Sequence, residues 1–165
     1  MSQIASESDV SRQSVYLHFK TRGGLLLALV QRADERFEVK EGFFAALEIG
    51  DPIKRLDACM EVWFDFAVKI HPVATDLIRL RRTDSDADTA WTDRMSELRA
   101  WEHQLIQSLS DDEALSSDWS VDDAADYLWA STSIQIWDVL YNDRSWSAEK
   151  ISKVLRRSIA KTLLQ

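Results

Sequence analysis

Six side chains within a short stretch near the start of the chain, Arg12, Gln13, Ser14, Tyr16, His18 and Arg22, are of the types that grip and read a polyanionic duplex. Arg and Gln offer paired hydrogen-bonding groups that match guanine and adenine edges, while Ser, Tyr and His commonly reach phosphate oxygens. No carboxylate interrupts them. Between Val10 and Ala33 the charged residues are Arg12, Lys20, Arg22 and Arg32, in a chain whose formal net charge is -8. From Asp84 to Asp126, by contrast, thirteen Asp or Glu face only Arg94 and Arg99. A basic end on an acidic body fits a chain of which one end meets a polyanion, although four charges in a window also fit chance variation on a solvated face.

Those side chains need elements that aim them. Ser11 is a good N-cap for a short helix reaching Phe19, and Val15 and Phe19 lie four apart on one face. With that pair turned inward, Arg12, Gln13, Ser14 and Tyr16 turn outward, and Leu17 and Lys20 fall at the rim. Ahead of it a short helix over 3–8, with Ile4 and Ala5 apolar, and a turn at Asp9 complete a helix-turn-helix pattern. Thr21 caps a longer helix expected to run to about Leu47, carrying Leu25, Leu26, Leu29, Val30, Ala33 and Phe37 at helical spacing. Gly23 and Gly24 weaken its first turn.

The remainder reads as further helices. Asp51 and Pro52 start one that carries Ile53, Leu56, Met60, Trp63, Phe64, Ala67 and Ile70, and His71-Pro72 is expected to end it and begin a shorter helix to about Arg82. A loop over 82–88 follows, then helices over about 89–110, 121–141 and 147–164, with Ser120 and Asp123 resembling a capping box. With 45% hydrophobic residues, four Gly, two Pro and no strand-like alternation, the expected class is all-α. The lone Cys59 has no disulfide partner in the chain, which fits a cytoplasmic protein; neither a signal peptide nor an apolar run of membrane-spanning length is apparent.

Enzymatic and metal chemistry find little support. His18, His71 and His103 are isolated, no Cys pair or glycine-rich phosphate loop is present, and the run Asp111, Asp112, Glu113 reads as a solvated loop. Cys59 reads as a small buried residue. No catalytic residue, metal or cofactor is expected.

The stretch "VSRQSVYLHFKTRGGLLLALV" resembles the helix-turn-helix and following helix of the tetracycline-repressor (TetR) family of bacterial transcriptional regulators, and the tail from Tyr127 is similar to the ends of many members. The resemblance implies that 11–19 is a recognition helix, with Arg12, Gln13 and Ser14 near base edges, Tyr16 and His18 at phosphates, and Arg22 at a phosphate from the next helix start. It also implies one further helix ahead of 3–8, so that residues 1–44 are read as an incomplete three-helix DNA-binding module and 45–165 as a ligand-binding and dimerisation bundle. The implied partners are operator DNA, a small apolar or aromatic effector and a second copy of the chain, with no membrane. Met60, Trp63, Phe64, Ala67, Trp91, Met95 and Trp101 are expected to line the effector pocket, and Trp129, Ile136, Trp137, Leu140, Leu155 and Ile159 the dimer contact. An aromatic stripe at helical spacing serves a packed core equally well. The function implied is a ligand-responsive regulator, a repressor released from DNA by its effector; the alternative is a dimeric small-molecule-binding helical protein without effective DNA binding.

Overall fold

The computed structural model describes residues 6, 7 and 10–165, and the backbone but not the side chains of Arg12, Arg22 and Ala90. Ser6 and Glu7 are helical; the rest of the expected first helix and the turn at Asp9 lie outside the described residues. The elements that follow are α1 (Arg12–Phe19), α2 (Arg22–Arg36), α3 (Val39–Leu47), α4 (Pro52–Leu80), α5 (Ser85–Asp111), α6 (Val121–Ser131), α7 (Ile134–Asp138), a π-helical turn (Val139–Asp143) and α8 (Ala148–Leu163). Among the described residues the only extended pairing is an isolated bridge between Leu115 and Leu164, so the class is all-α.

Side-chain caps set most of the starts. Ser11, Thr21, Asp51, Asp84, Ser120, Ser133 and Ser147 each accept a backbone N–H from the first turn that they precede. That satisfies donors which a helix start otherwise leaves open. Asp84 corrects the expected loop over 82–88: α5 begins at Ser85, with Asp86 and Asp88 in a first turn whose dipole favours acidic residues.

Two further departures have tertiary causes. Pro72 does not end α4, which runs unbroken to Leu80. A proline inside a helix costs ~3 kcal/mol, whereas each fully buried large apolar side chain returns roughly 1.5–3 kcal/mol. Ile70 and Leu77, on either side of it, are both buried, and so is Ala74. The helix expected from Arg22 to Leu47 is instead broken at Phe37-Glu38. The Phe37 ring meets Phe66 edge-on at 6.5 Å and lies under the Lys69 ammonium at 4.4 Å. Glu38 takes a left-handed φ of 48°, re-aiming the chain so that Val39, Phe43 and Ala46 are buried and α3 packs on α4. The boundary expected at residue 44 therefore falls inside a helix that packs on the body.

The core is shared by α4, α5, α6, α7 and α8 around Leu56, Met60, Leu105, Ile106, Leu109, Leu128 and Ile151. Cys59 is fully buried within it, and burial pushes its thiol up to about 12, so it stays protonated and inert.

Left-handed backbone costs a non-glycine residue roughly 1–2 kcal/mol. Glu38→Gly is expected to raise stability by about 0.5–1 kcal/mol once glycine's extra unfolded-state entropy is deducted. Urea denaturation checks this, and a loss of stability would show that the Glu38 side chain contributes more than its backbone strain.

Candidate nucleic-acid interface

The α1 helix has one inward residue and a polar exterior. Val15 is buried and Phe19 half-buried, while Gln13, Ser14, Tyr16, Leu17 and His18 are exposed. Gln13, Ser14, Tyr16 and His18 thus share the outward side, and the side chains of Arg12 and Arg22 lie outside the described residues. Ser14 is tied to the helix start: its N–H donates to Ser11 Oγ at 3.0 Å and the two hydroxyls lie 2.9 Å apart. Leu17 is 74% exposed, more than any other large apolar side chain described.

The corner after α1 is tight. Lys20 adopts φ 51° and donates its N–H to Tyr16 O, and Thr21 caps α2 through Gly24 N–H. Here the two glycines find their reason. A Cβ on Gly24 would stand 2.3 Å from Phe19 O, and one on Gly23 would stand 2.7 Å from the Ala87 Cβ of α5. Neither position tolerates a larger residue without displacing backbone or a neighbouring helix.

Further along, α2 is held to α5 a second time. Asp34 and Arg94 pair at 2.9 Å with both side chains largely covered, and Arg94 also reaches Glu97 at 2.8 Å and lies over the Trp101 ring at 5.2 Å. Burial pushes the Asp34 carboxyl above its usual range, against the pull of Arg94, and its Oδ1 has no hydrogen-bond partner.

Between these two attachments lies a cavity of about 30 Å³, enough for roughly one water molecule. Leu27 and Val30 of α2 wall one side, Trp63, Phe66 and Ile70 of α4 another, and Trp91, Arg94, Met95 and Leu98 of α5 a third, with Ile134 of α7 closing it. Of the seven residues expected in a pocket, Trp63, Trp91 and Met95 line it. The other four do not. Met60 and Ala67 are buried in the core, Trp101 packs on Phe43 and Phe44, and Phe64 stacks on Trp137 at 5.8 Å. The expected dimer residues divide in the same way. Trp129 and Ile136 are exposed, Leu140 and Leu155 half-buried, and Trp137 and Ile159 buried within the single chain.

One feature behind the cavity escaped the sequence. Glu102 is 1% exposed, accepting from Thr132 Oγ1 at 2.7 Å, and its Oε2 has no partner. Trp63 Nε1 donates to the Thr132 carbonyl at 2.9 Å, so one polar node joins α4, α5 and the end of α6. Burial pushes the Glu102 carboxyl up to about 8, although the Thr132 hydrogen bond and the Arg99 charge pull it down. The other carboxylates of interest are paired. His71 Nε2 lies 2.8 Å from Asp138, His103 Nε2 lies 3.2 Å from Asp122, and Asp112, expected in a solvated loop, pairs with Arg55 at 2.7 Å. No cluster of three metal-ligating side chains occurs among the described residues. No helix there is long and apolar enough to cross a membrane.

An all-α chain with an outward-facing α1, a corner into α2 and a helical body behind it has the fold of the TetR-family transcriptional regulators. It is similar to the TetR-family regulator PfmR of Thermus thermophilus, at 15% identity and a TM-score of 0.73 over 99% of this chain and 88% of that one. A protein of Rhodococcus sp. assigned to the same family matches at 15% identity and 0.73, over 98% and 86%. A Saccharomonospora viridis protein assigned as a transcriptional regulator, solved in complex with choline, matches at 18% and 0.73, over 98% and 85%. No protein-family model and no curated protein sequence matches the chain.

Glu102 makes stability depend on pH. Its folded pKa lies above the ordinary carboxyl value, so the fold holds a proton that the unfolded chain releases earlier; this contribution is complete below about pH 4.5 and lost as pH rises through about 8. Glu102→Gln is expected to match the wild type near pH 4.5 and to exceed it at about pH 9 by an amount on the order of a few kcal/mol. Urea midpoints at the two pH values check it, and an equal difference at both would refute it.

Proposed function

We propose that the chain is a ligand-responsive DNA-binding transcriptional regulator that acts as a homodimer in the cytoplasm, with α1 as the helix that enters the major groove. The observation that carries this reading is the division of α1: Val15 is buried, Gln13, Ser14, Tyr16 and His18 are exposed, and residues 10–33 contain no carboxylate. In this reading Gln13 meets a base edge, Tyr16 and His18 reach phosphates, and the bare Leu17 side chain covers a thymine methyl or a sugar. Arg12 and Arg22 keep the roles that the family resemblance implies for them, and Ser14 contributes through the hydroxyl it shares with Ser11. The solved regulators of the same fold support the function class.

The control step follows from cavity size. A small-molecule site normally encloses ~300 Å³ or more, ten times the space between α2, α4 and α5. An apolar or aromatic effector seated among Trp63, Trp91 and Met95 therefore requires α2 to move away from α5, and α1 moves with it through the tight corner at Lys20-Thr21. Effector and the arrangement described above exclude one another, so an effector that binds the expanded state shifts the population away from the state that α1 presents here. Release of a repressor from its operator is the outcome we assign. The Saccharomonospora viridis protein, in complex with choline, is a case of this fold accepting a small molecule. For the dimer, the exposed Trp129, Ile136, Val139, Tyr141 and Val154 on the last elements supply an apolar face, with the half-buried Leu140 and Leu155 beside it.

Selection from a random duplex library is expected to enrich a two-half-site sequence. Gln13→Ala is then expected to weaken binding to it by about 10- to 100-fold, and to relax preference at one position in each half-site. Affinity is also expected to fall steeply with salt. An unenriched library, or a Gln13→Ala chain with unchanged preference, would overturn the DNA assignment.

A further inference from the structure

Opening the cavity between α2, α4 and α5 leaves one charge unanswered. Leu27 and Val30, which wall the cavity, and Asp34 recur at helical spacing, so the three share one face of α2. Arg94, at 2.9 Å, is the only ion-pair partner of Asp34 among the described residues, and Asp34 Oδ1 has no hydrogen-bond partner. In the proposed control step α2 moves away from α5. Arg94 then keeps Glu97 at 2.8 Å and the face of Trp101, both on its own helix. Arg81, over the Trp91 ring, likewise keeps Asp88 at 2.7 Å. Asp34 is left without a counter-charge. Removing one partner of a buried pair costs far more than the pair contributes, so the occupant that opens the cavity most readily is one that supplies the missing cation.

The surroundings select the same charge. Arg94 borders both the cavity and a groove of about 410 Å³ that opens to the surface, so its side chain is the partition between them. Along that groove Asp34, Glu35, Glu41 and Glu97 face only Lys40 and Arg94. The charges of Glu97 and Glu35 already act against ionisation of Asp34, and a carboxylate arriving from outside meets the same repulsion. Inside, Trp63, Phe66 and Trp91 present aromatic rings, whose faces attract an ammonium group and whose area suits an apolar body. Behind the far wall, the fully buried Glu102 holds a second carboxyl oxygen without a partner.

Resting on the effector reading above, we propose that the effector is an apolar or aromatic amine, bound as its ammonium ion, and that Asp34 is its counter-ion. The ammonium replaces Arg94 as the partner of Asp34, and the apolar body fills the enlarged space among Trp63, Phe66 and Trp91. Binding is an exchange of cations on one carboxylate. Arg94 is the intramolecular competitor, and the bond it gives up is the one that fastens α2 to α5.

Calorimetric titration of the full chain with phenylbutylamine and decylamine, each beside the alcohol and the carboxylic acid of the same skeleton, tests it. The amines are expected to bind at least about tenfold more tightly than the alcohols, and the acids more weakly than either. Asp34→Asn is expected to bring each amine to within about threefold of its alcohol, whereas Arg94→Met, which removes the competitor, is expected to tighten the amines by about threefold or more. An ion pair that served only as a latch would loosen in both variants, and every ligand would gain alike. Circular dichroism checks helix content, and the order of the probes on the wild-type chain stands as a test by itself should a variant fail to fold. A wild-type chain that binds none of these probes overturns the effector reading and this proposal with it. An alcohol or acid that binds as tightly as its amine, a preference for the amine that Asp34→Asn leaves intact, or weaker amine binding in Arg94→Met overturns the assignment of the cation to Asp34 alone.

Discussion

The direction of α1 depends on one close approach, that of Gly23 at the start of α2 to Ala87 in the first turn of α5. It permits contact between two helices at a distance that any Cβ would prevent, and the buried ion pair of Asp34 with Arg94 adds a second fixed point farther along the same helices. Two attachments define the angle between α2 and α5. Because the corner at Lys20-Thr21 has no slack, α1 inherits that angle. An ion pair taken out of water adds little net stability, and leaving Asp34 Oδ1 without a partner makes the exchange poorer still. Its retention is better understood as specifying one arrangement of α2 on the body than as strengthening the fold.

The cavity is where the proposed control step would loosen this arrangement. It lies between the two attachments, and Arg94 both lines it and holds Asp34. Any group that enlarges the cavity acts on the ion pair and on the glycine contact together. In the proposed control step, recognition surface and effector space are thus linked through two helices in direct contact, without a longer chain of intermediates.

Helix starts were legible because they depend on adjacent residues: Ser11, Thr21, Asp51, Ser120 and Ser147 cap where their side chains allow it. Helix ends and breaks were less legible, since distant contacts decide them. Pro72 carries a local penalty that buried neighbours on α4 outweigh, and nothing local marks Glu38, a residue seldom found in left-handed backbone, as the point where the long helix divides. Asp84 could have been read: an Asp before two acidic positions at a helix start is a recognisable signal, obscured here by the polarity of the surrounding residues. The outward face of α1 followed from the spacing of Val15 and Phe19 alone. The cavity did not, because Met60, Trp63, Phe64 and Ala67 share one wide apolar face of α4, and only the elements opposite decide which side chain borders the void and which joins the core.

The polar node behind the cavity shows why such a division matters. Thr132 stops α6 and, through its hydroxyl, holds Glu102; through its carbonyl it holds Trp63. Glu102 is one helical turn from Leu98, and Thr132 is two residues from Ile134; Leu98, Ile134 and Trp63 all line the cavity. An all-apolar core at this place would be easier to bury, but it would not distinguish one register of α6 and α7 from another. A carboxyl that must keep its single hydrogen bond to Thr132 does distinguish them. The node thus backs the wall that Trp63, Leu98 and Ile134 form opposite α2, and in the proposed control step that directional bond resists movement of the far wall, so that expansion of the cavity falls on α2 and passes to α1.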